Sequence, residues 1–174
     1  MKETVHFMIS EKDIKKRIQE IAKKIADYYR SKKGKLVLVG ILKGSFIFIS
    51  DLCRKIDLPH EIDFMIVSSY RNGFQSNENV RIIKDLDQNI RKKNIVIVED
   101  VVDSGNTLKK ILRVLQSRKP KSIKICTLFS KPSKREVKIS IKWIGYSIQD
   151  RFIVGYGIDY SQKYRHLPYI GYVL

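Results

Sequence analysis

The sequence predicts an α/β fold, a mostly parallel twisted sheet flanked by helices, with a small hood and a flexible flap added to it. Three observations lead there. Apolar, largely β-branched runs fall at Leu36 to Val39, Ile62 to Val67, Ile95 to Val98 and Ile123 to Phe129, and the third is unbroken, as in a strand buried on both faces. Apolar residues at helical spacing stand before or between these runs. Short polar segments follow the strand ends, where open α/β sheets carry their ligand loops.

Taken in order, Val5 to Ile9 predicts a short strand. Ser10 then suits a helix N-cap, with Asp13 three residues on in a capping-box arrangement. Ile14, Ile18, Ile21, Ile25 and Tyr28 follow at helical spacing among Lys, Arg, Gln and Glu, so an amphipathic first helix ends before Gly34. Leu36 to Val39 is a buried strand, Gly40 to Ser45 the loop after it, and Phe46, Ile49, Cys53 and Ile56 mark the face of a second helix. Gly40 to Gly44 is not a P-loop: that motif needs four residues between its glycines and a lysine after the second, whereas here three intervene and Ser45 follows. Beyond the strand at Ile62 to Val67, residues 68–79 are polar, and Val80, Ile82 and Leu86 predict a return strand and a hairpin.

The run Ile95 to Val98 ends in two carboxylates, Glu99 and Asp100. Val101-Val102 and the segment Asp103-Ser104-Gly105-Asn106-Thr107 follow, then a helix with Leu108, Ile111, Leu112 and Leu115 on one face. Strand, acidic edge, glycine-containing loop and helix start suit a phosphorylated sugar. Backbone N–H groups and the helix N-terminus cradle phosphate, the two carboxylates hold vicinal hydroxyls, and Asp103 points into the site as a base. The same residues also fit a plain turn and a capped helix. Pro120 stops that helix. Lys131, after the strand at Ile123 to Phe129, is either a substrate-facing lysine at a strand's C-terminal edge or a solvated loop lysine. The last third holds Trp143, Tyr146, Phe152, Tyr156, Tyr160, Tyr164, Tyr169 and Tyr172, mostly core or interface residues, and packs as a hood over the sheet edge.

The 174 residues are enough for one domain, 1–174, with a real core. No apolar run reaches the roughly 18 residues needed to span a membrane, and the N-terminus lacks a signal-peptide apolar segment, so a cytoplasmic protein is expected. Cys53 and Cys126 read as buried free thiols. His6, His60 and His166 have no metal-ligand spacing. The net charge of +17 allows nucleic-acid binding or anionic substrates, but lysines lie in nearly every segment, which favours a solvated basic surface.

Val98 to Thr107, VEDVVDSGNT, resembles the phosphoribosyl-pyrophosphate (PRPP) signature of type I phosphoribosyltransferases: two acidic residues, two apolar ones, then D-S-G-x-T. The rest of the chain is similar to the hypoxanthine (hypoxanthine-guanine) branch in its short bacterial form. The resemblance implies transfer of 5-phosphoribosyl from PRPP to N9 of a 6-oxopurine, with Mg²⁺ as cofactor. It implies that Asp103 takes the purine N7 proton, that Ser104, Gly105, Asn106 and Thr107 hold the 5′-phosphate, and that Glu99 and Asp100 hold the ribose hydroxyls. Leu42-Lys43-Gly44 matches the pyrophosphate loop, in which relatives have a non-proline cis peptide before the lysine. Arg165 matches a second pyrophosphate contact.

By the same resemblance, Lys131 donates to the exocyclic oxygen of the base, Phe152 stacks on it, and the backbone of Ile153 reads its edge. Ser69 and Tyr70 belong to a lid that closes over the sugar. Asp159, with Glu99 and Asp100, is implied to bind the metal. Two departures stand out: Arg71 where relatives commonly have glycine, and Ser130 where they often have an acidic residue. Relatives form homodimers or homotetramers. An RNA-binding regulator with this fold, or a transferase for another base such as xanthine or uracil, are the alternatives. The combination of Lys43, Lys131, Phe152 and Arg165 favours the purine enzyme over both, with no nucleic-acid or membrane partner.

Overall fold

The computed structural model describes residues 4–70 and 79–174. Its strands are β1 (Val5–Ile9), β2 (Leu36–Leu42), β3 (Glu61–Tyr70), β4 (Asn79–Lys84), β5 (Asn94–Val102), β6 (Ser122–Ser130), β7 (Trp143–Ser147), β8 (Phe152–Val154) and β9 (Ile170–Val173). Its helices are α1 (Glu11–Arg30), α2 (Phe46–Cys53) and α3 (Asn106–Ser117), and a 3-10 turn spans Pro132–Lys134. A six-stranded sheet runs β4-β3-β2-β5-β6-β7. It is parallel except for β4, which returns antiparallel along β3.

The continuous apolar runs have a direct cause. Successive residues of a strand face opposite sides of the sheet, and here both sides are covered. Leu36, Leu38, Val96, Val98, Cys126 and Leu128 pack with α1 and α2. Val37, Val39, Ile41, Ile95, Ile97 and Ile125 pack with Leu108, Ile111 and Leu115 of α3. Helix α1 begins as expected: Ser10 Oγ accepts from Asp13 N–H at 3.1 Å and donates to the Asp13 carboxylate. Such a cap contributes about 1 kcal/mol. The helix buries Ile14, Ile18, Ile21, Ile25 and Tyr29; Tyr28, the residue expected on that face, is only partly buried and meets Trp143 edge-on.

Helix α2 departs further from expectation. It buries Phe48, Ile49 and Leu52, while Phe46 is 43% exposed, Cys53 is half-buried and Ile56 is buried beyond the helix end. Its start, Phe-Ile-Phe-Ile, has no polar face to set the helical phase, so contact with the sheet sets it. Cys126 is buried as expected, and that burial raises its thiol pKa.

Strands β1, β9 and β8 form a separate antiparallel sheet, the hood, which joins the two ends of the chain: Val5 pairs with Val173, and Phe152 with the same residue from the other side. The expected return strand is β4, with Ser69 opposite Val80 and Tyr70 opposite Asn79. The segment 71–78, including Arg71 and the tip expected of the flap, lies outside the described residues. Among the described residues no helix is long and apolar enough to cross a membrane.

Candidate active site

The expected site residues converge on the C-terminal edge of the parallel sheet. Strand β5 extends past Val98 to Val102, so Glu99 and Asp100 belong to the strand, with Glu99 opposite Thr127 of β6. The strand hands over directly to the loop Asp103–Gly105 and to α3. Gly105 is the residue before the helix and has φ +85°, a left-handed conformation that a residue with a Cβ adopts only under strain. Ser104 Oγ accepts from Asn106 N–H at 3.3 Å. The loop is thus a short, turned-out chain of N–H donors at the start of a twelve-residue helix.

Two clefts meet here. One, of about 280 Å³, is lined by Leu42, Glu99, Asp103, Ser104, Gly105 and Thr107, among others. The other, of about 170 Å³, is lined by Asp100, Asp103, Lys131, Phe152, Ile153 and Asp159, among others. Asp103 and Val101 line both. Asp103 therefore stands at the junction of the two clefts. Its side chain is 55% exposed, and its carboxylate lies 3.3 Å from the Lys131 ammonium. Lys131 itself is nearly buried, with its backbone N–H donated to Val102 O at 3.0 Å. Phe152 is exposed at the mouth of the second cleft, edge-on to Tyr160, whereas Ile153 is buried.

Opposite β5 lies the loop after β2. The Leu42–Lys43 peptide is cis. Lys43 is exposed and has no ion-pair partner among the described residues. Gly44 packs directly on Asp100: a Cβ there would lie 2.5 Å from the Asp100 carboxyl carbon. Ser45, buried, donates to Ile41 O at 2.6 Å and closes the loop. From the hood side, Arg165 donates to Gly157 O at 2.8 Å and pairs with Asp159 at 2.8 Å.

The two carboxylates of β5 are electrostatically poised. Burial raises the Glu99 carboxyl well above its usual range, and the neighbouring Asp100 raises it further. Burial also raises Asp100, while its hydrogen bond with Glu99, backbone N–H groups and the Arg165 charge act the other way. Glu99 Oε2 is a buried acceptor with no hydrogen-bond partner. A buried, orphaned carboxylate oxygen beside a second acid is a donor set that suits hydroxyl groups or a divalent cation. Asp159 is held by Arg165, and among the described residues no three His, Cys, Asp or Glu side chains form a cluster that would hold a metal alone. The arrangement fits a Mg²⁺ that brings most of its ligands with a phosphorylated substrate, as that ion commonly does.

A raised carboxyl pKa in the folded state means that the protonated form is favoured by folding. Its contribution is fully present below the unfolded value, near 4.5, and is lost as pH rises through the higher folded value. Glu99→Gln, neutral and of the same shape, is expected to melt several degrees above the parent at neutral pH without substrate, since about 1 kcal/mol is worth roughly 2–4 °C for a chain of this size. Thermal melts from pH 4 upward check this (about pH 4 being near the unfolded carboxyl value): the gap between variant and parent should widen with pH.

Two residues that sequence reasoning did not single out support the site. Arg135 donates to Val102 O at 3.3 Å and to Ser130 Oγ at 2.9 Å, beneath the Gly105 turn. Ser130 thereby serves as the buried acceptor for Arg135. Glu136 accepts from Asn106 Nδ2 at 2.6 Å, and its N–H donates to Ser104 O at 3.0 Å. Both lie on the β6–β7 connection, which passes under the loop 103–105. Their only sequence signal is a charged run after Lys131, indistinguishable from a solvated loop. Of the residues expected to act together, only Ser69 and Tyr70, at the end of β3, have side chains outside the described ones.

A family model for the phosphoribosyl transferase domain matches residues 10–161. The hypoxanthine phosphoribosyltransferase of Salmonella typhimurium is 53% identical over 174 residues, covering 100% of this chain and 98% of the relative. The hypoxanthine-guanine phosphoribosyltransferase of Staphylococcus aureus (strain Mu50) is 48% identical over 164 residues, covering 94% of this chain and 90% of the relative. The crystal structure of a hypoxanthine phosphoribosyltransferase from Staphylococcus aureus superposes with a TM-score of 0.91 at 46% identity, covering 97% of this chain and 91% of that one. By sequence over its whole length, and by the architecture of its sheet and hood, this chain belongs to the phosphoribosyltransferase family, in the branch of the hypoxanthine phosphoribosyltransferases.

Proposed function

We propose that this protein, acting as one domain over residues 1–174, transfers 5-phosphoribosyl from PRPP to N9 of a 6-oxopurine, hypoxanthine and also guanine. The products are IMP or GMP and pyrophosphate. The observation that carries this reading is the pair of clefts that share Asp103. In the first, Ser104, Gly105 and Thr107, with Asn106 beside them at the start of α3, would hold the 5′-phosphate, and Glu99 would hold the ribose hydroxyls together with Asp100, which lines the second. The second has Lys131 for the 6-oxygen, Phe152 for the ring face and the Ile153 backbone for the ring edge.

In the reaction the bond from C1′ to the pyrophosphate oxygen breaks and the bond from C1′ to N9 forms. The N7 proton passes to the Asp103 carboxylate. Lys43, next to Gly44 on the Asp100 side of the site, and Arg165, paired with Asp159, would be the two cations that offset the developing charge of the departing pyrophosphate. Glu99, Asp100 and Asp159 are the residues that would hold Mg²⁺, which when bound would supply positive charge to neutralise the leaving group. Closure by Ser69 and Tyr70 would keep water from a ribosyl cation-like transition state. A homodimer or homotetramer in the cytoplasm completes the reading. Phe7, Phe46, Ile62 and Ile83 are exposed apolar side chains available for subunit contacts.

The test is nucleotide formation from PRPP and Mg²⁺ with hypoxanthine, guanine, xanthine and uracil in parallel. Turnover of hypoxanthine or guanine supports the proposal. Turnover of uracil alone would move the chain to another base class, and no turnover by folded protein would overturn the enzyme reading in favour of RNA binding.

A further inference from the structure

Lys131 has a second carboxylate partner that does not line either cleft. Its ammonium lies 3.3 Å from Asp103 and 3.8 Å from Asp150, and Asp150 is in turn held by the Lys134 ammonium at 2.7 Å. Charges alternate along this row: Asp103, Lys131, Asp150, Lys134. Asp150 sits in the connection between β7 and β8, two residues before Phe152, so the row joins the 3-10 turn after β6 to the segment that delivers the stacking ring.

We infer that Asp150 is a positioning residue that aims Lys131 at the 6-oxygen of the base; this rests on the purine-transfer reading above. The Lys131 side chain is 8% exposed, and a nearly buried ammonium needs anionic partners. With Asp103 as its only anion, Lys131 would settle on the carboxylate that must accept the N7 proton, and would compete with the base for it. Asp150, placed on the other side, shares the ammonium and keeps it between the two acids, with a donor left for the ligand. Lys134 anchors Asp150 from outside, so that Asp150 is not itself drawn into the cleft. The 6-oxygen then takes a donor that is already oriented, and Asp103 stays available to N7. Asp150 acts only through Lys131, because the cleft that holds Lys131 and Phe152 is not lined by Asp150.

The experiment is a cycle of Asp150→Asn and Lys131→Met, read as KM for hypoxanthine, KM for PRPP and the Kd of IMP by calorimetry. Asp150→Asn alone is expected to raise KM for hypoxanthine and the Kd of IMP by about tenfold, with KM for PRPP within about twofold, and to add less than about twofold to the Kd of IMP in the Lys131→Met background. Asp150→Glu, which keeps the charge, should recover most of the loss. Three outcomes would overturn the inference: an equal loss in both backgrounds, a parallel rise in both KM values, or no change for hypoxanthine. The unaltered chain separates the two levels: if it turns over hypoxanthine, the underlying reading stands whatever Asp150 does, and if it turns over no purine, both fall together.

Discussion

Asp103→Asn is expected to lower kcat by at least about a hundredfold, the lower end of what a positioned general base supplies, with KM for PRPP within about threefold. The amide has nearly the shape of the acid, and the Asp103 side chain is 55% exposed, so the substitution is expected to leave the fold in place. What the variant loses is the ability to take a proton at the junction of the two clefts. It also frees Lys131 from one of its anions, which leaves Asp150 as the remaining one. Steady-state kinetics with hypoxanthine and PRPP check the prediction. A variant with unchanged kcat would remove Asp103 from the role of base and leave the family assignment standing.

Gly44→Ala is expected to lower kcat/KM for PRPP by about a hundredfold or more, the scale on which a displacement near 1 Å acts in a well-oriented site. The added methyl group would lie 2.5 Å from the Asp100 carboxyl carbon, so one of the two must move. The clash is with the Asp100 side-chain carboxylate, which retreats only by rotating away from its place beside Glu99, and the backbone on either side is fixed. Asp100 belongs to β5, whose neighbours Glu99 and Val101 are in register with Thr127 and Phe129 of β6. The loop at Gly44 is closed by the buried bond from Ser45 to Ile41 O. Displacing either one disturbs the proposed ribose-hydroxyl and pyrophosphate contacts together. Calorimetric titration of PRPP with Mg²⁺ would show the loss directly. Unchanged affinity would mean that the pyrophosphate loop and Asp100 can separate without cost.

These two residues differ in how they could be found. Asp103 is legible from its setting, an acid between a buried strand and a glycine turn. Gly44 is legible as a loop glycine and, by resemblance, as part of the pyrophosphate loop; its contact with Asp100, 56 positions later, exists because β2 and β5 are neighbours in the sheet. Arg135 and Asp150 carry no local signal. Each is a charged residue in a connecting segment, and charged connecting segments are usually solvated. Their partners, Ser130 with Val102 and Lys131 with Lys134, are set by how the β6–β7 and β7–β8 connections lie over the sheet.

What the sequence alone determined was the part of the fold that rests on short-range periodicity and covalent neighbourhood. The buried strands follow from apolar runs, α1 from its cap and stripe, and the PRPP-like loop from ten consecutive residues, Val98 to Thr107. Tertiary structure decided everything that depends on contacts distant in the chain. The hood needs Val5 beside Val173, a pairing that no window can contain. The buried face of α2 was set by the sheet beneath it, because its own apolar residues leave the helical phase open. The high Glu99 carboxyl pKa follows from burial among residues brought from several elements, since desolvation is a property of the enclosure and not of the residue.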